Sequence, residues 1–414
     1  MPHGYLELLR HHRLARGLWL AQLASQIGDW IGLIALFQLC HRLGGDVSSI
    51  GIVLVVQQVP VVVWGPLAGW VADRFDRRSV MIAADLSRAM FALVFPIAAR
   101  VGGVTGLYAV AACLYSASAL FEPAKQALQQ IAVPEDRIVA ANALSGATYG
   151  ITGGLGSLLG GLIVECAGEH VAFVVESVLF LMSALLVWRL RGVALRQPAG
   201  PRAGDPPRET VRAFLARHPR VCAALCVKLL GAGLSGGGMW VIVVVYGQVT
   251  FPIGDGGAIS VGILNGAMFL GALIGPSFVT PLFRDDRGGG RRLLDGITLF
   301  LLARAVLLAG LAASPSLPWA AISALGLVVA ACGSVVTSTI LIQRLSPDHV
   351  RGRLFALDLA IWTLGVAISA QLSGLAMSRW QVSPQRVAYA LGGLTLVATA
   401  IWAWMAAAWR RWDR

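Results

Sequence analysis

Charge is what this chain lacks: of its 414 residues only 13% are Asp, Glu, Lys or Arg, about half of what a soluble globule carries. So little polar surface excludes a water-soluble domain of this size. Catalytic chemistry lacks its usual materials too. The seven histidines, His3, His11, His12, His41, His170, His218 and His349, fall in predicted loops or termini and join no convergent set. Without a His-Asp pair, a metal cluster or a phosphate loop, a membrane-bound transferase is not expected. Six cysteines, Cys40, Cys113, Cys166, Cys222, Cys226 and Cys332, lie along apolar stretches without metal-ligand spacing, and read as packing residues. No metal and no cofactor are expected. No cleavable leader is expected either, because the first apolar run is too long and lacks a convincing small-residue cleavage site.

What is abundant is apolar. Hydrophobic residues make up 57% of the chain and the mean hydropathy is +0.73. About 20 apolar residues cross a bilayer core, and the sequence holds about twelve such stretches, the longest of them tilted or kinked. The net charge of +12 and isoelectric point near 10.2 would suit nucleic acid, but the cations sort by side. With the N-terminus in the cytoplasm, Arg10, Arg13, Arg16, Arg74, Arg77, Arg78, Arg137 and most other arginines fall inside, leaving Arg42, Arg100, Arg379 and Arg386 outside. That bias is the positive-inside pattern. It places both termini in the cytoplasm and removes the case for a nucleic-acid partner.

Residues 190–220 carry Pro198, Pro201, Pro206, Pro207 and a run of arginines, the composition of a linker ending in a short amphipathic helix. It divides the chain into a cytoplasmic segment 1–16, a six-helix bundle 17–190, a linker 191–218, a second bundle 219–409 and a tail 410–414. The halves resemble each other: Gly65-Pro66 returns as Gly275-Pro276, with Arg74 opposite Arg284, 210 residues on. Pro134 to Arg137 returns as Pro347 to Arg351, and Gly161-Leu162 as Gly374-Leu375. A duplicated unit of this kind predicts two pseudo-symmetric six-helix bundles around a central cavity.

The most informative segment is Gly65-Pro66-Leu67-Ala68-Gly69-Trp70-Val71-Ala72-Asp73-Arg74-Phe75-Asp76-Arg77-Arg78, where one apolar run ends and the next begins. Gly65 and Gly69 share a helix face, which lets a neighbouring helix come close, and Asp73, Arg74, Arg77 and Arg78 can latch a cytoplasmic gate. These residues resemble the major facilitator superfamily over essentially the whole chain. Ser25 to Trp30, Asp85 to Ala89, Phe121 to Leu128, Ala141 to Leu144 and Arg351 to Arg353 look like the bacterial subgroup that contains the enterobactin exporter. Pro123-Ala124-Lys125 is also similar to the lysophospholipid flippases. The resemblance implies a monomeric inner-membrane transporter with two lobes that rock about a midplane site. The gate loop departs from the superfamily pattern, carrying Asp76 where glycine is usual.

Intramembrane charge costs roughly 2.5 to 3.5 kcal/mol per residue, so each such residue needs a reason. Asp29 lies about 20 Å along a helix from Arg16, near the midplane, and Gln22, Gln26 and Asp29 share a face. It is either a proton carrier or a structural carboxylate. Tyr115, Ser118, Glu122, Gln126 and Gln129 form a polar stripe that cannot face lipid, and Glu122 is the second proton-coupling candidate. Lys125 sits three residues on and can pair with it, as a working switch or a static staple. Gln57, Asn142, Tyr149, Trp240 and Thr337 complete the predicted cavity lining. Gly156, Gly160 and Gly161 resemble the antiporter motif Gly-Pro-x-x-Gly-Gly with Ser157 in place of proline; they read chiefly as helix-packing positions. Arg88 and Arg304 occupy roughly equivalent places in the two halves and, with Asp85, Glu176 and Asp358, are expected to be structural; Lys228 is placed near enough to the membrane face to snorkel.

One wall thus offers acids and amides, the other glycine, tryptophan and small hydroxyls, which suits an amphipathic ligand. The expected function is proton-coupled export of an amphipathic small molecule, a siderophore or drug-like compound, driven by a proton gradient. The alternative is a lysophospholipid transporter in which Lys125 meets the headgroup.

Overall fold

A computed structural model describes residues 10, 12–133, 138–190, 211–227, 229, 233–283 and 291–412. The regular structure among them is helical: α1 (Arg13–Arg42), α2 (Val47–Arg74), α3 (Arg77–Ala132), α4 (Ile138–Trp188), α5 (Val211–Arg217), α6 (Pro219–Val227), α7 (Leu234–Val245), α8 (Ala258–Leu282), α9 (Arg291–Ala312), α10 (Leu317–Leu345), α11 (Asp348–Ser378) and α12 (Pro384–Trp412). Lys228 and Pro134 to Arg137, singled out by the sequence, lie outside the described residues.

The lengths explain the topology. A 56-residue helix such as α3 would run roughly 84 Å if straight, well beyond a bilayer core of about 30 Å. It turns at Gly103 (φ 55°, ψ −145°), and the 51-residue α4 turns at Gly168 (φ 83°, ψ 168°). Positive φ at both breaks is a conformation glycine adopts without a Cβ clash. Among the described residues nine helices are long and apolar enough to cross a membrane. Two of the nine are these double passes, and Leu234–Thr250, α7 with the π-turn Tyr246–Thr250, is a shorter apolar helix in the seventh predicted span. The short amphipathic helix expected at the end of the linker is α5.

The chain forms two compact units. The first comprises residues 1–49, 56–198 and 247–269 and the second residues 50–55, 199–246 and 270–414. In the first unit α1 and α3 both pack along α4, over a core that includes Leu18, Met81, Phe121, Leu128 and Val187. Close approach rests on missing side chains. A Cβ on Gly156 would stand 2.7 Å from that of Trp30, one on Gly160 3.1 Å from Ile31 Cα, and one on Gly161 2.7 Å from the Ala258 carbonyl. In the second unit α9 packs on α10 and α12, and α11 on α7, around Val221, Ile297, Leu301, Val350 and Trp402, with Phe214 of α5 sealing one end.

Asp76, the departure in the gate loop, acts locally. Its carboxylate caps α3, accepting from the Ser79 amide at 2.9 Å and the Ser79 hydroxyl at 2.6 Å. Such a cap contributes about 1 kcal/mol. Outside its own helix, no described atom lies within 4 Å of where a Gly65 Cβ would stand.

Candidate functional site

The first unit buries a cluster of opposite charges built from three helices. From α1 come Ser25 and Asp29, one turn apart. From the first pass of α3 come Asp85 and Arg88 at the i, i+3 spacing that puts two side chains on one face. From the second pass of α4 come Glu176, Phe180 and Ser183, again one face. Arg88 sits at the centre, 2% exposed. Its guanidinium donates to Asp85, to the Ser25 hydroxyl at 2.6 Å and to Asp29 at 3.2 and 3.4 Å, while its plane lies over Phe121 and Phe180, 4.7 and 4.3 Å from the ring centroids. Ser183 donates to the second Asp85 oxygen at 2.6 Å.

The three acids differ in exposure. Asp85 is fully buried and Glu176 is 2% exposed, whereas the Asp29 side chain keeps 28%. Asp29 also lies within electrostatic reach of Glu122 and Tyr149. Asp29 is thus a carboxylate paired with Arg88 yet partly exposed, whereas Asp85 is held in the interior by Arg88 and Ser183.

Residues 18–370 match the model of the Major Facilitator Superfamily. The chain belongs to that superfamily. Among curated relatives of this superfamily member are the uncharacterized MFS-type transporter YfiS of Bacillus subtilis, 28% identical over 193 residues (46% of each chain), and the multidrug efflux pump Tap of Mycolicibacterium fortuitum, 28% identical over 178 residues (41% of this chain, 44% of Tap). The chain thus spans a little under half the length of the curated relatives it matches. Among solved structures, a variant of the nucleoside transporter NupG superposes with a TM-score of 0.73 at 18% identity, covering 95% of this chain and 99% of that one. A variant of the peptide transporter POT gives 0.72 at 16%, covering 96% and 94%. At these identities the likeness is one of fold.

The other predicted site residues of this superfamily member fall into groups. Gln22 and Gln26 join a ladder between α1 and α4: Trp19 donates to Thr148 at 2.8 Å, Gln22 contacts Ser145 at 3.4 Å, and Thr152 donates to Gln26 at 3.0 Å. Lys125 and Glu122 pair at 2.8 Å, with lysine 4% and glutamate 48% exposed, and Gln126 donates to the same carboxylate at 3.1 Å. Tyr115 is buried, within electrostatic reach of Glu176 and Asp29. Tyr149 meets Trp30 and Phe269 edge-on, both at 5.8 Å between ring centroids. Gln57 is half-buried in α2 and Trp240 half-buried in α7. Thr337 is wholly buried and its hydroxyl donates to the Gly333 carbonyl at 2.7 Å, a bond within its own helix. In the gate motif, Arg78 donates to the carbonyls of Val187 (3.0 Å) and Trp188, closing the end of α4. Arg74 is exposed and Arg77 buried. The surroundings of Gly69 and the side chains of Asp73 and Asn142 lie outside what the structure describes.

From the sequence Arg88 and Glu176 read as structural, and the structure brings both to Asp29. The Asp85-x-x-Arg88 spacing is the available signal for one. For the other it is Gly28 and Gly32, a turn apart on α1 and both facing Glu176. Arg304, the counterpart of Arg88 in the second half, is 1% exposed. Among the described residues it bonds neutral groups, Ser235 at 2.7 Å and the Leu327 carbonyl at 3.4 Å.

A second polar network lies at the far end of α1. Arg42 stands 2.9 Å from both oxygens of the buried Glu169 and pairs with Asp255, whose amide donates to Glu165 and whose carbonyl accepts from Gln38 at 2.8 Å. Gln248 donates to Gln38 at 2.7 Å. Arg42→Ala strands a buried carboxylate and is expected to cost about 1 to 3 kcal/mol. Asp255→Ala, at a side chain 62% exposed, should cost no more than about 1 kcal/mol. Thermal unfolding of the purified variants checks the order, and equal losses would mean Glu169 does not depend on Arg42.

Proposed function

We propose that this chain is a secondary active transporter of a bacterial inner membrane, both termini in the cytoplasm, that exports an amphipathic small molecule in exchange for protons by alternating access. The observation that carries the reading is the position of Asp29: bonded to the buried Arg88 on one side, partly exposed on the other, and electrostatically linked to Glu122. A proton arriving at Asp29 cancels its attraction for Arg88, which changes how α1 is held against α3. That couples proton occupancy to helix position, which is what exchange requires. Similarity to a relative named as a multidrug efflux pump supports export, and the exposed Tyr149 ring, backed by the buried Trp30 and Phe269, offers an apolar surface within electrostatic reach of the acid for a drug-like or siderophore-like body. Lipid transport, with Lys125 meeting a headgroup, is less well supported, because Lys125 is buried and already paired.

The test uses everted membrane vesicles and ethidium, an amphipathic cation. Wild-type protein should accumulate the dye when a pH gradient is imposed, and Asp29→Asn should lower that rate at least tenfold while leaving the amount of folded protein unchanged. Undiminished gradient-driven accumulation by the variant would remove Asp29 from the proton path. A build-up of lysophospholipid in the membranes of a deletion strain would overturn export in favour of lipid movement.

A further inference from the structure

We propose that Glu176 is a second proton-binding carboxyl, held neutral in this conformation in a notch that Gly32 provides, and that it gives up its proton when Arg88 is released by Asp29.

The charge balance comes first. Asp29, Asp85 and Glu176 share one guanidinium, Arg88. Its donated bonds go to Asp29, Asp85 and Ser25, and none goes to Glu176. The groups within electrostatic reach of Glu176 are Asp29, Arg88 and Tyr115, so Arg88 is the cation available to it among the described residues. Fully ionised, the cluster would hold two surplus negative charges with only Asp29 partly exposed, a state that buried carboxylates avoid by taking up a proton. Asp85 is bonded to both Arg88 and Ser183 and is the acid best held as an anion. Asp29 is partly exposed. Glu176, 2% exposed, is left as the acid to which Arg88 donates no bond among the described residues.

Geometry supplies the independent observation. One carboxyl oxygen of Glu176, Oε2, is buried and has no hydrogen-bond partner among the described residues. It rests against bare backbone of α1, where a methyl on Gly32 would overlap the carboxyl group itself. The adjacent turn is equally close, with a Gly28 Cβ 3.3 Å from the Glu176 carbonyl. An ionised carboxylate with an unsatisfied buried oxygen is costly; a neutral acid in an apolar notch is much less so. Asp29 lies on the same helix between Gly28 and Gly32, so any movement of α1 that follows protonation of Asp29 also opens or closes the notch. Protonated Asp29 no longer competes for Arg88. The guanidinium can then pair the Glu176 carboxylate that forms as its O–H bond breaks, the proton passing to water admitted when the notch opens. The two acids would thus be occupied in turn.

This rests on the proton-coupled reading above, and the experiment separates the two. Infrared difference spectra of the purified protein in lipid nanodiscs, recorded through a pH step across neutrality, report protonated carboxyl groups by their C=O stretch without any transport. At the alkaline end of the step, where Asp29 is ionised and holds Arg88, wild-type protein is expected to show such a band, Glu176→Gln to lose it, and Asp29→Asn, which leaves Arg88 to Glu176 as protonated Asp29 does, to weaken it. Gly32→Ala, which crowds the carboxyl, should shift the band. Because glutamine mimics the neutral acid, Glu176→Gln should fold normally and lower pH-driven ethidium accumulation at least tenfold. A band that persists in Glu176→Gln, its absence from wild type, or failure of Glu176→Gln to fold would each overturn the proposal. If transport proves independent of the proton gradient while the band is still lost in Glu176→Gln, the functional reading falls and the carboxyl assignment stands.

Discussion

Replacing Arg88 with methionine is expected to cost the protein about 3 to 5 kcal/mol, the penalty for leaving buried partners of a broken ion pair uncompensated. Among the described residues Asp85 would keep a bond only to Ser183, and Asp29 would lose the cation it is bonded to. The same substitution at Arg304 should be close to neutral or stabilising, since among the described residues that guanidinium bonds Ser235 and a carbonyl and its removal deletes a desolvated charge without orphaning an acid. The two positions are matched in place along the halves and in burial, 2% and 1% exposed, so the contrast isolates the effect of the acids. Thermal unfolding followed by size-exclusion recovery of monodisperse protein measures both. Equal losses in the two variants would show that the Arg88 acids are not held by the guanidinium. Adding Asp85→Asn to Arg88→Met should recover part of the loss, because it removes the most deeply buried of the stranded charges.

A comparable effect is expected at Gly237 in the second unit. A side chain there would collide with the Val366 carbonyl and stand 2.7 Å from the Ala370 amide. Both obstacles are backbone of α11, so neither can rotate aside, and α7 and α11 must separate to admit even one methyl. Overpacking of this kind costs typically 1 to 3 kcal/mol and sometimes more, and Gly237→Val belongs at or beyond the upper end. Gly393→Ala is the control: nothing among the described residues lies within 4 Å of its Cβ position, and alanine in place of glycine inside a helix gains roughly 0.5 to 1 kcal/mol. Folded yield and midpoint of thermal unfolding should therefore move in opposite directions for the two. Tolerance of Gly237→Val without loss would mean that α7 and α11 can part at little cost.

Much of the architecture is legible in the residues themselves. Gly103 and Gly168 fall between predicted apolar runs, and each is where a double-length helix turns. Gly156 and Gly160 read as packing positions, and a Cβ on either would press on α1. The site is less legible. Gln22, Gln26 and Asp29 share a helix face, yet the two glutamines are spent on α4 while Asp29 turns to Arg88, because neighbours along one face can meet different helices. Asp76 reads as part of a gate and caps a helix; an acid just before a serine-containing first turn is the cue. Glu176 gives no local signal of its own, since the notch it fills is an absence of side chain 144 positions earlier in the chain, at Gly32.

The sequence by itself determined that this chain enters a bilayer, where it crosses, and that its halves are related. Those outcomes follow from transfer free energies that add residue by residue along an apolar run, and from backbone freedom that glycine carries wherever it stands. Only the tertiary structure decided which intramembrane charges meet. Asp29 and Arg88 are 59 positions apart and Asp85 and Ser183 are 98 apart, and Coulomb energy depends on distance in space, which no spacing along the chain reports. The same residue type in the second half, Arg304, bonds neutral groups among the described residues.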